Sequence, residues 1–487
     1  MSTVWQSVLE SLNYNQASPL LFNSTFFLFF FILVLLIYPL VVNHTRIRVW
    51  YLLAVSLYFY FKTSGIFVVL LLVTALVNFA LGAAIHRTDG KKGRRAWLGL
   101  SLLWNLGTLG YFKYTNFILE IVNQLFGGSI PMMDIFLPVG ISFFTFQTWS
   151  YTLDIYYKKL DPIRSFTDFA FFVSFFPQLV AGPIVRASYF IPQIHKKLEL
   201  DEDTIARALV LIFAGLLKKG VIADYLSVNF VDRIFENPAL FSGMENLFGV
   251  YAYALQIYCD FSGYSDIAIG LAALMGFSLP INFLSPYKAH SVTDFWRRWH
   301  ISLSTWLRDY IYIPLGGNRK GKSRQYLNLG ITMLLGGLWH GASWNFVFWG
   351  GLHGVALIFD KAWLGLKIAH TKVMKVIGVI VTFHFVCFAW IFFRSRTFAS
   401  AWLMINRIIS SFNLNLFKHW FNEYQIIAYL IVIGFLAHWQ PDSWQQAYER
   451  FLGKMPWPLK SLALALVIWI LFQAKSADLQ PFIYFQF

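Results

Sequence analysis

The sequence predicts an all-α, polytopic integral membrane protein, and three observations carry that expectation. Hydrophobic residues fill 57% of the 487 positions and charged residues only 13%, about half the roughly 25% usual in soluble domains. Residues 26–42 run for 17 positions and residues 66–85 for 20 without a charge, each near the ~20 that cross ~30 Å of hydrocarbon as a helix. The basic residues behind the net charge of +15 gather in short connections between apolar runs. That pattern belongs to cytoplasmic loops rather than to a nucleic-acid surface.

The first 25 residues carry Glu10 and no Lys or Arg, and they lead straight into the run 26–42. A retained first helix with the N-terminus outside is expected, not a cleaved signal peptide. A shorter span follows at 49–61, then 66–85. The loop from Arg87 to Arg95 holds five basic residues and one Asp, which assigns it to the cytoplasm and puts Arg46 and Arg48 on the same side. Further apolar stretches lie at about 96–119, 135–157, 168–190, 205–235, 246–276, 325–365, 373–393, 425–439 and 459–474. Several are interrupted by Gly, Pro or charge, so roughly 11–13 membrane segments are expected, some re-entrant. With no long polar linker and no internal repeat, residues 1–487 read as one membrane domain. Cys259 and Cys387 both sit in apolar runs, where a small buried thiol is the ordinary reading.

The segment 277–324 differs from its surroundings. It contains Asp294, Arg297, Arg298, His300, Arg308, Asp309, Arg319, Lys320, Lys322 and Arg324, too many charges for a helix facing lipid, so an interfacial segment or the wall of a wet cavity is expected. Residues 294–309 read as one helix with Ser291 or Thr293 as N-cap. Ile313-Pro314-Leu315-Gly316-Gly317-Asn318 reads as a break and turn.

Two histidines carry the candidate chemistry. His340 lies in Gly336-Gly337-Leu338-Trp339-His340-Gly341-Ala342, and His300 follows Trp296-Arg297-Arg298-Trp299. An imidazole titrates near pH ~6.5, so one ring facing a common cavity can take a proton from an attacking hydroxyl while the other orients or polarises. Alternatively, each is a core imidazole satisfied by a backbone carbonyl. Gly336, Gly337 and Gly341 permit close approach of a thin substrate or simply of a neighbouring helix. The basic run from Arg297 to Arg324, with Arg297, Arg298, Arg308, Arg319 and Lys320 as leading candidates, suits the phosphates of a nucleotide-bearing donor or anionic lipid headgroups equally. Asp260 and Asp266, carboxylates within an apolar stretch, read as hydrogen-bonded struts or as the coupling sites of an ion-driven transporter. His353, His384, His419 and His438 lack metal-ligand spacing among themselves, so no metal is expected.

Taken together, Leu21-Phe22-Asn23-Ser24-Thr25, Leu137-Pro138-Val139-Gly140-Ile141-Ser142-Phe143-Phe144-Thr145-Phe146, Phe176-Pro177-Gln178-Leu179-Val180-Ala181-Gly182-Pro183-Ile184, Tyr258 to Gly270, Phe295-Trp296-Arg297-Arg298-Trp299-His300-Ile301-Ser302-Leu303-Ser304, Arg308-Asp309-Tyr310-Ile311-Tyr312-Ile313-Pro314-Leu315-Gly316-Gly317 and Gly336 to Ala342 resemble the membrane-bound O-acyltransferase family, in its alginate O-acetyltransferase branch. The resemblance covers most of the chain, in the family's order. It implies a helical fold around a transmembrane tunnel in a bacterial cytoplasmic membrane, with His340 as principal catalytic residue, His300 as the second, and Trp339, Gly341, Asp260 and Asp266 supporting the tunnel. It further implies acetyl-CoA or a carrier thioester as donor substrate with no bound cofactor, an exported polysaccharide as acceptor, membrane lipids as surroundings, and a periplasmic SGNH-type acetyltransferase or esterase as partner. D-alanyl transfer to teichoic acid, or acetylation of peptidoglycan or cellulose, remains an alternative within the family. The terminal segment 480–487, Phe482-Ile483-Tyr484-Phe485-Gln486-Phe487 at its end, resembles an aromatic motif of envelope-acylation systems that makes Tyr484 a candidate acyl relay. The other reading is an aromatic anchor at the membrane boundary.

Overall fold

The computed structural model describes residues 12–16, 19–180, 182–198, 200–365, 371–474 and 482. Among them the chain is helical with no strand, the all-α membrane architecture expected. Thr45–Arg87, Lys372–Arg394 and Trp457–Ala474 are long and apolar enough to cross a membrane. Leu414–Glu423 and Gln425–Trp439 meet at 100° and together meet the same standard. The helix Gly243–Leu274 is long enough, at 32 residues, but lacks so apolar a stretch.

The backbone gathers into two units, Met1–Ala208 with Ala268–Pro280, and Leu209–Ile267 with Ile281–Phe487. In the first unit, Ser24 caps the helix Thr25–Val41 by accepting the Phe27 N–H, as short hydroxylated side chains do at helix starts. The helix Thr45–Ser64 is longer than the span expected at 49–61, and the reason is visible in its charges. Arg48 is buried and donates to the carbonyls of Ile194 and Lys196 at 2.5 and 3.0 Å, and buried Lys62 donates to the carbonyl of Asn13. Charges paired in this way sit inside the helix that they seemed to delimit. Gly65, with φ +59°, ends this helix, and Val68–Arg87 begins three residues later.

Val68–Arg87 packs against Lys91–Leu109 and Ile141–Tyr156. A side-chain network joins the three: Asn105 Nδ2 donates to Asn78 Oδ1 at 2.8 Å, Ser101 Oγ lies 2.9 Å from Thr152 Oγ1, and Thr148 Oγ1 donates to Asn105 Oδ1 at 3.3 Å. All five residues are buried, and their mutual bonding satisfies polar groups that lipid could not. Phe22, Phe27, Phe59 and Phe176 form an aromatic cluster with ring centroids 4.8–6.3 Å apart.

In the second unit, Lys322–His340 and Trp344–Gly365 form a helical hairpin whose backbones nearly touch. A Cβ on Gly337 would lie 2.2 Å from the carbonyl oxygen of Phe346, and one on Gly350 2.3 Å from that of Met333. Only glycines allow that approach, as in membrane helix pairs with small residues at the seam. Lys372–Arg394 and Val292–Arg298 both pack on Trp344–Gly365. Trp457–Ala474 packs on a π-helical turn at Leu217–Ala223, where Gly220 receives the side chain of Leu471.

The helix expected at 294–309 is two helices. Val292–Arg298, capped by Ser291, ends at Trp299, and Ile301–Leu307 begins after His300, whose φ of +44° and ψ of +54° are left-handed. The chain then continues as a π-helical turn at Arg308–Tyr312 and the turn expected around Pro314, with positive φ at Gly316 and Gly317.

Candidate active site

The helix after His300 is capped by a residue from another segment. Asn282 accepts the Ile301 N–H on its backbone carbonyl at 3.0 Å and the Ser302 N–H on its side-chain oxygen at 3.2 Å. Those are two of the first donors of the helix Ile301–Leu307, whose N-cap residue His300 makes no side-chain cap bond. The same Oδ1 accepts from the Ser302 hydroxyl at 2.9 Å and lies 3.2 Å from His300 Nδ1. The amide Nδ2 points to Ser265 Oγ at 3.4 Å. His300, Asn282, Ser302 and Ser265 are all buried.

The backbone N–H of Ser302 fixes the chemistry of this cluster, because it can only donate. Turning the amide would set the Asn282 NH2 against that N–H, so the oxygen stays where it is. A ring nitrogen facing an amide oxygen must itself carry hydrogen.

His340 is the last residue of its helix, and the structure brings it to His300 with ring centroids 6.5 Å apart. Trp339 lies against both, 4.9 Å from His340 and 6.0 Å from His300. Trp349 and Phe393 meet the His340 ring edge-on at 5.1 and 5.3 Å, and Phe261 meets His300 in the same way at 4.6 Å. Both histidines are almost wholly buried, at 3% exposure for His340 and none for His300. The two imidazoles thus share an aromatic enclosure with little water, in which a charge or dipole acts far more strongly than in solvent. His353 belongs to the same wall. Its ring is 4.8 Å from Trp349, and its Nδ1 accepts the indole N–H of Trp296 at 3.2 Å.

The glycines beside His340 serve the packing of this wall. The space next to Gly337 is taken by the Phe346 backbone and that next to Gly341 by the Phe346 ring, where a Cβ would approach within 2.0 Å. Asp260 and Asp266 are held by lysines, partners that the sequence pattern did not single out. Lys219 Nζ bonds Asp260, and also Asp224 at 2.7 Å, while Lys218 Nζ bonds Asp266 at 2.7 Å. These pairs fasten the helix Gly243–Leu274 to residues 217–224, and the same helix delivers Phe261 and Ser265 to the His300 cluster. A strut needs such fixed pairing.

The basic candidates lie apart from the histidine pair in exposure. Arg297, Arg308, Arg319 and Lys320 are exposed, whereas Arg298 is partly buried and pairs with Asp294 at 2.9 Å. Arg308 contacts Asp309 at 2.8 Å. Tyr484 lies outside the described residues. Phe482, two positions earlier, is fully buried and packs on Phe261 and Tyr264 at 5.3 and 5.1 Å. Asn282, Lys218 and Lys219 are the residues of this cluster that sequence reasoning missed, and Phe482 entered it only as part of the aromatic terminal motif.

This arrangement of buried, adjacent imidazoles suits proton transfer, and the comparisons with known proteins give the family. The sequence model described as "MBOAT, membrane-bound O-acyltransferase family" matches residues 137–402. The peptidoglycan O-acetyltransferase of Helicobacter pylori is 39% identical over 414 residues, covering 78% of this chain and 78% of that protein. The probable alginate O-acetylase AlgI of Pseudomonas aeruginosa is 40% identical over 399 residues, 80% of this chain and 75% of that one. AlgI of Azotobacter vinelandii is 36% identical over 511 residues, 96% of this chain and all of its own length. With the matched residues enclosing both histidines and their aromatic wall, the chain belongs to the membrane-bound O-acyltransferase family and is an integral-membrane acyltransferase.

Proposed function

We propose that this protein moves acetyl groups from a cytoplasmic thioester, acetyl-CoA or an acyl carrier, across a bacterial cytoplasmic membrane toward an exported polysaccharide. His340 is the principal catalytic residue and His300 its partner. The observation that carries the reading is the 6.5 Å approach of two buried imidazoles that stand forty positions apart in the chain.

In the chemical step, an imidazole nitrogen removes the proton of an attacking hydroxyl as its oxygen adds to the thioester carbonyl. The tetrahedral oxyanion then collapses, the C–S bond breaks, and the imidazolium returns its proton to the departing thiolate. His340, at a helix C-terminus, occupies a position whose unpaired carbonyls favour a developing positive charge. The dry aromatic wall protects the thioester from hydrolysis.

The attacking hydroxyl in this scheme is that of Tyr484. Its O–H proton goes to the base, the acetyl group becomes a phenyl ester and the thiol leaves. A second transfer to a glycan hydroxyl, through a periplasmic SGNH-type partner, restores the tyrosine. Support comes from Phe482, seated against Phe261, whose ring in turn meets His300. Two extended residues reach up to about 7 Å. The exposed Arg297, Arg308, Arg319 and Lys320 suit the phosphates of the donor on the cytoplasmic face, and the N-terminus then lies outside. The acceptor is alginate-like by likeness to the AlgI proteins. Peptidoglycan is the second reading, favoured by the H. pylori relative at 39% identity.

Inside-out membrane vesicles given radiolabelled acetyl-CoA test the proposal. Label is expected on the protein and then on glycan with wild type, on neither with His340→Ala, and on neither with Tyr484→Phe. Full labelling of glycan by His340→Ala at wild-type protein level rejects the catalytic assignment. Full labelling by Tyr484→Phe rejects the relay alone, and digestion of the labelled glycan identifies the acceptor.

A further inference from the structure

We infer that Asn282 is the positioning residue of the two-histidine site. It locks His300 as the Nδ1–H tautomer and so makes Nε2 the proton-accepting nitrogen of that ring. This deepens the acyl-transfer reading and rests on it for its catalytic meaning, although the tautomer itself does not.

Three observations converge on Asn282. Its side-chain oxygen faces three hydrogen-bonding groups, Ser302 N at 3.2 Å, Ser302 Oγ at 2.9 Å and His300 Nδ1 at 3.2 Å. Its own orientation is secured from behind by Nδ2 on Ser265 Oγ and by its backbone carbonyl on Ile301 N. His300 has a left-handed backbone, and that turn aims the imidazole Nδ1 back at the cap instead of along the helix. One buried amide therefore caps the start of the helix after His300 and sets the protonation pattern of the ring before it. Fixing which histidine nitrogen is bare bears on the reaction through His300, since the two nitrogens are not interchangeable.

The consequence for the reaction is a division of labour. In its neutral state His300 offers a lone pair on Nε2 and no hydrogen there, so it accepts a proton and does not polarise the thioester carbonyl by donation. The oxygen of Asn282 also stabilises the Nδ1–H that persists when Nε2 becomes protonated. No rearrangement of the cap is needed through the cycle.

The test is 15N NMR of histidine-labelled protein in liposomes, with the His300 signals identified by their loss in His300→Ala. Wild type is expected to show hydrogen on Nδ1 and a bare Nε2 at high pH. Asn282→Asp, which keeps both acceptors, retains hydrogen on Nδ1, whereas Asn282→Ala loses that preference. Acetyl transfer falls on the order of 100-fold in Asn282→Ala, less than the about 10⁴-fold that a fully wrong tautomer costs a serine-protease histidine, and recovers substantially in Asn282→Asp. A wild-type spectrum with hydrogen on Nε2 and a bare Nδ1 overturns the inference whatever the activity. So does an unchanged Nδ1–H in Asn282→Ala. If the spectra behave as expected but His300→Ala acetylates normally, the catalytic reading of His300 fails and the tautomer assignment stands.

Discussion

Gly337→Ala offers a sharp test of how the helical hairpin sets the site. The added Cβ would lie 2.2 Å from the carbonyl oxygen of Phe346, and ordinary contact begins at 3.4 Å, so the two helices must part by 1.2 Å there. Phe346 is three residues before Trp349, whose ring packs edge-on to His340 at 5.1 Å; the displacement is delivered to that imidazole. Alanine improves helix propensity over glycine by about 1 kcal/mol, while overpacking a tight interface costs about 1–3 kcal/mol. The protein should therefore fold, with little change or a modest loss of stability. Activity suffers more, because a misplacement near 1 Å costs roughly 100-fold in rate. Vesicle acetyl transfer, normalised to folded protein by detergent size-exclusion, measures the loss. Gly351→Ala is the control, since its nearest neighbour, a Leu334 methyl, lies at 3.6 Å, and it should match wild type. Wild-type rates in Gly337→Ala, with His340→Ala inactive, would refute the claim that hairpin spacing governs the site.

Other substitutions probe separate parts of the argument. Lys219→Met leaves the carboxylates of Asp224 and Asp260 facing each other in a buried place, a loss of about 3–5 kcal/mol; thermal unfolding in detergent should fall sharply and recover in part when both acids are changed to Asn. Equal stability of Lys219→Met and wild type would deny the strut its role. The combined Arg308→Ala, Arg319→Ala and Lys320→Ala variant should raise the KM for acetyl-CoA roughly tenfold with kcat unchanged, each exposed charge contributing about 0.2–1 kcal/mol. An unchanged KM would move donor docking elsewhere.

The fold class was legible because lipid leaves so few solutions: long uncharged runs must be helices, and the chain is helical. The turn at Pro314 was legible too, from residues that act locally. What escaped was every feature fixed from a distance. Nothing between Asp294 and Asp309 breaks a helix by composition; the break falls at His300, after which Asn282, eighteen positions earlier in the chain, caps the second helix. Arg48 and Lys62 looked like boundaries of a short span and are internal, because carbonyls from other segments neutralise the cost of burying them. Likewise Asp260 and Asp266 pair with lysines 41 and 48 positions away. His300 and His340 were both singled out from their neighbours, yet only the packing of Trp339, Trp349 and Phe261 brings them together.

The left-handed backbone at His300 has an experimental use. A side chain there carries a penalty of about 1–2 kcal/mol that glycine escapes, so His300→Gly relieves the chain while leaving a ring-shaped vacancy walled by Phe261, Phe283, Trp339 and His340. Free imidazole, or a series of substituted azoles graded in basicity, can be offered to that slot in place of the missing ring. On the proposed mechanism the second base becomes an exchangeable part, and the slope of rate against azole basicity reports how far its proton has moved at the top of the barrier.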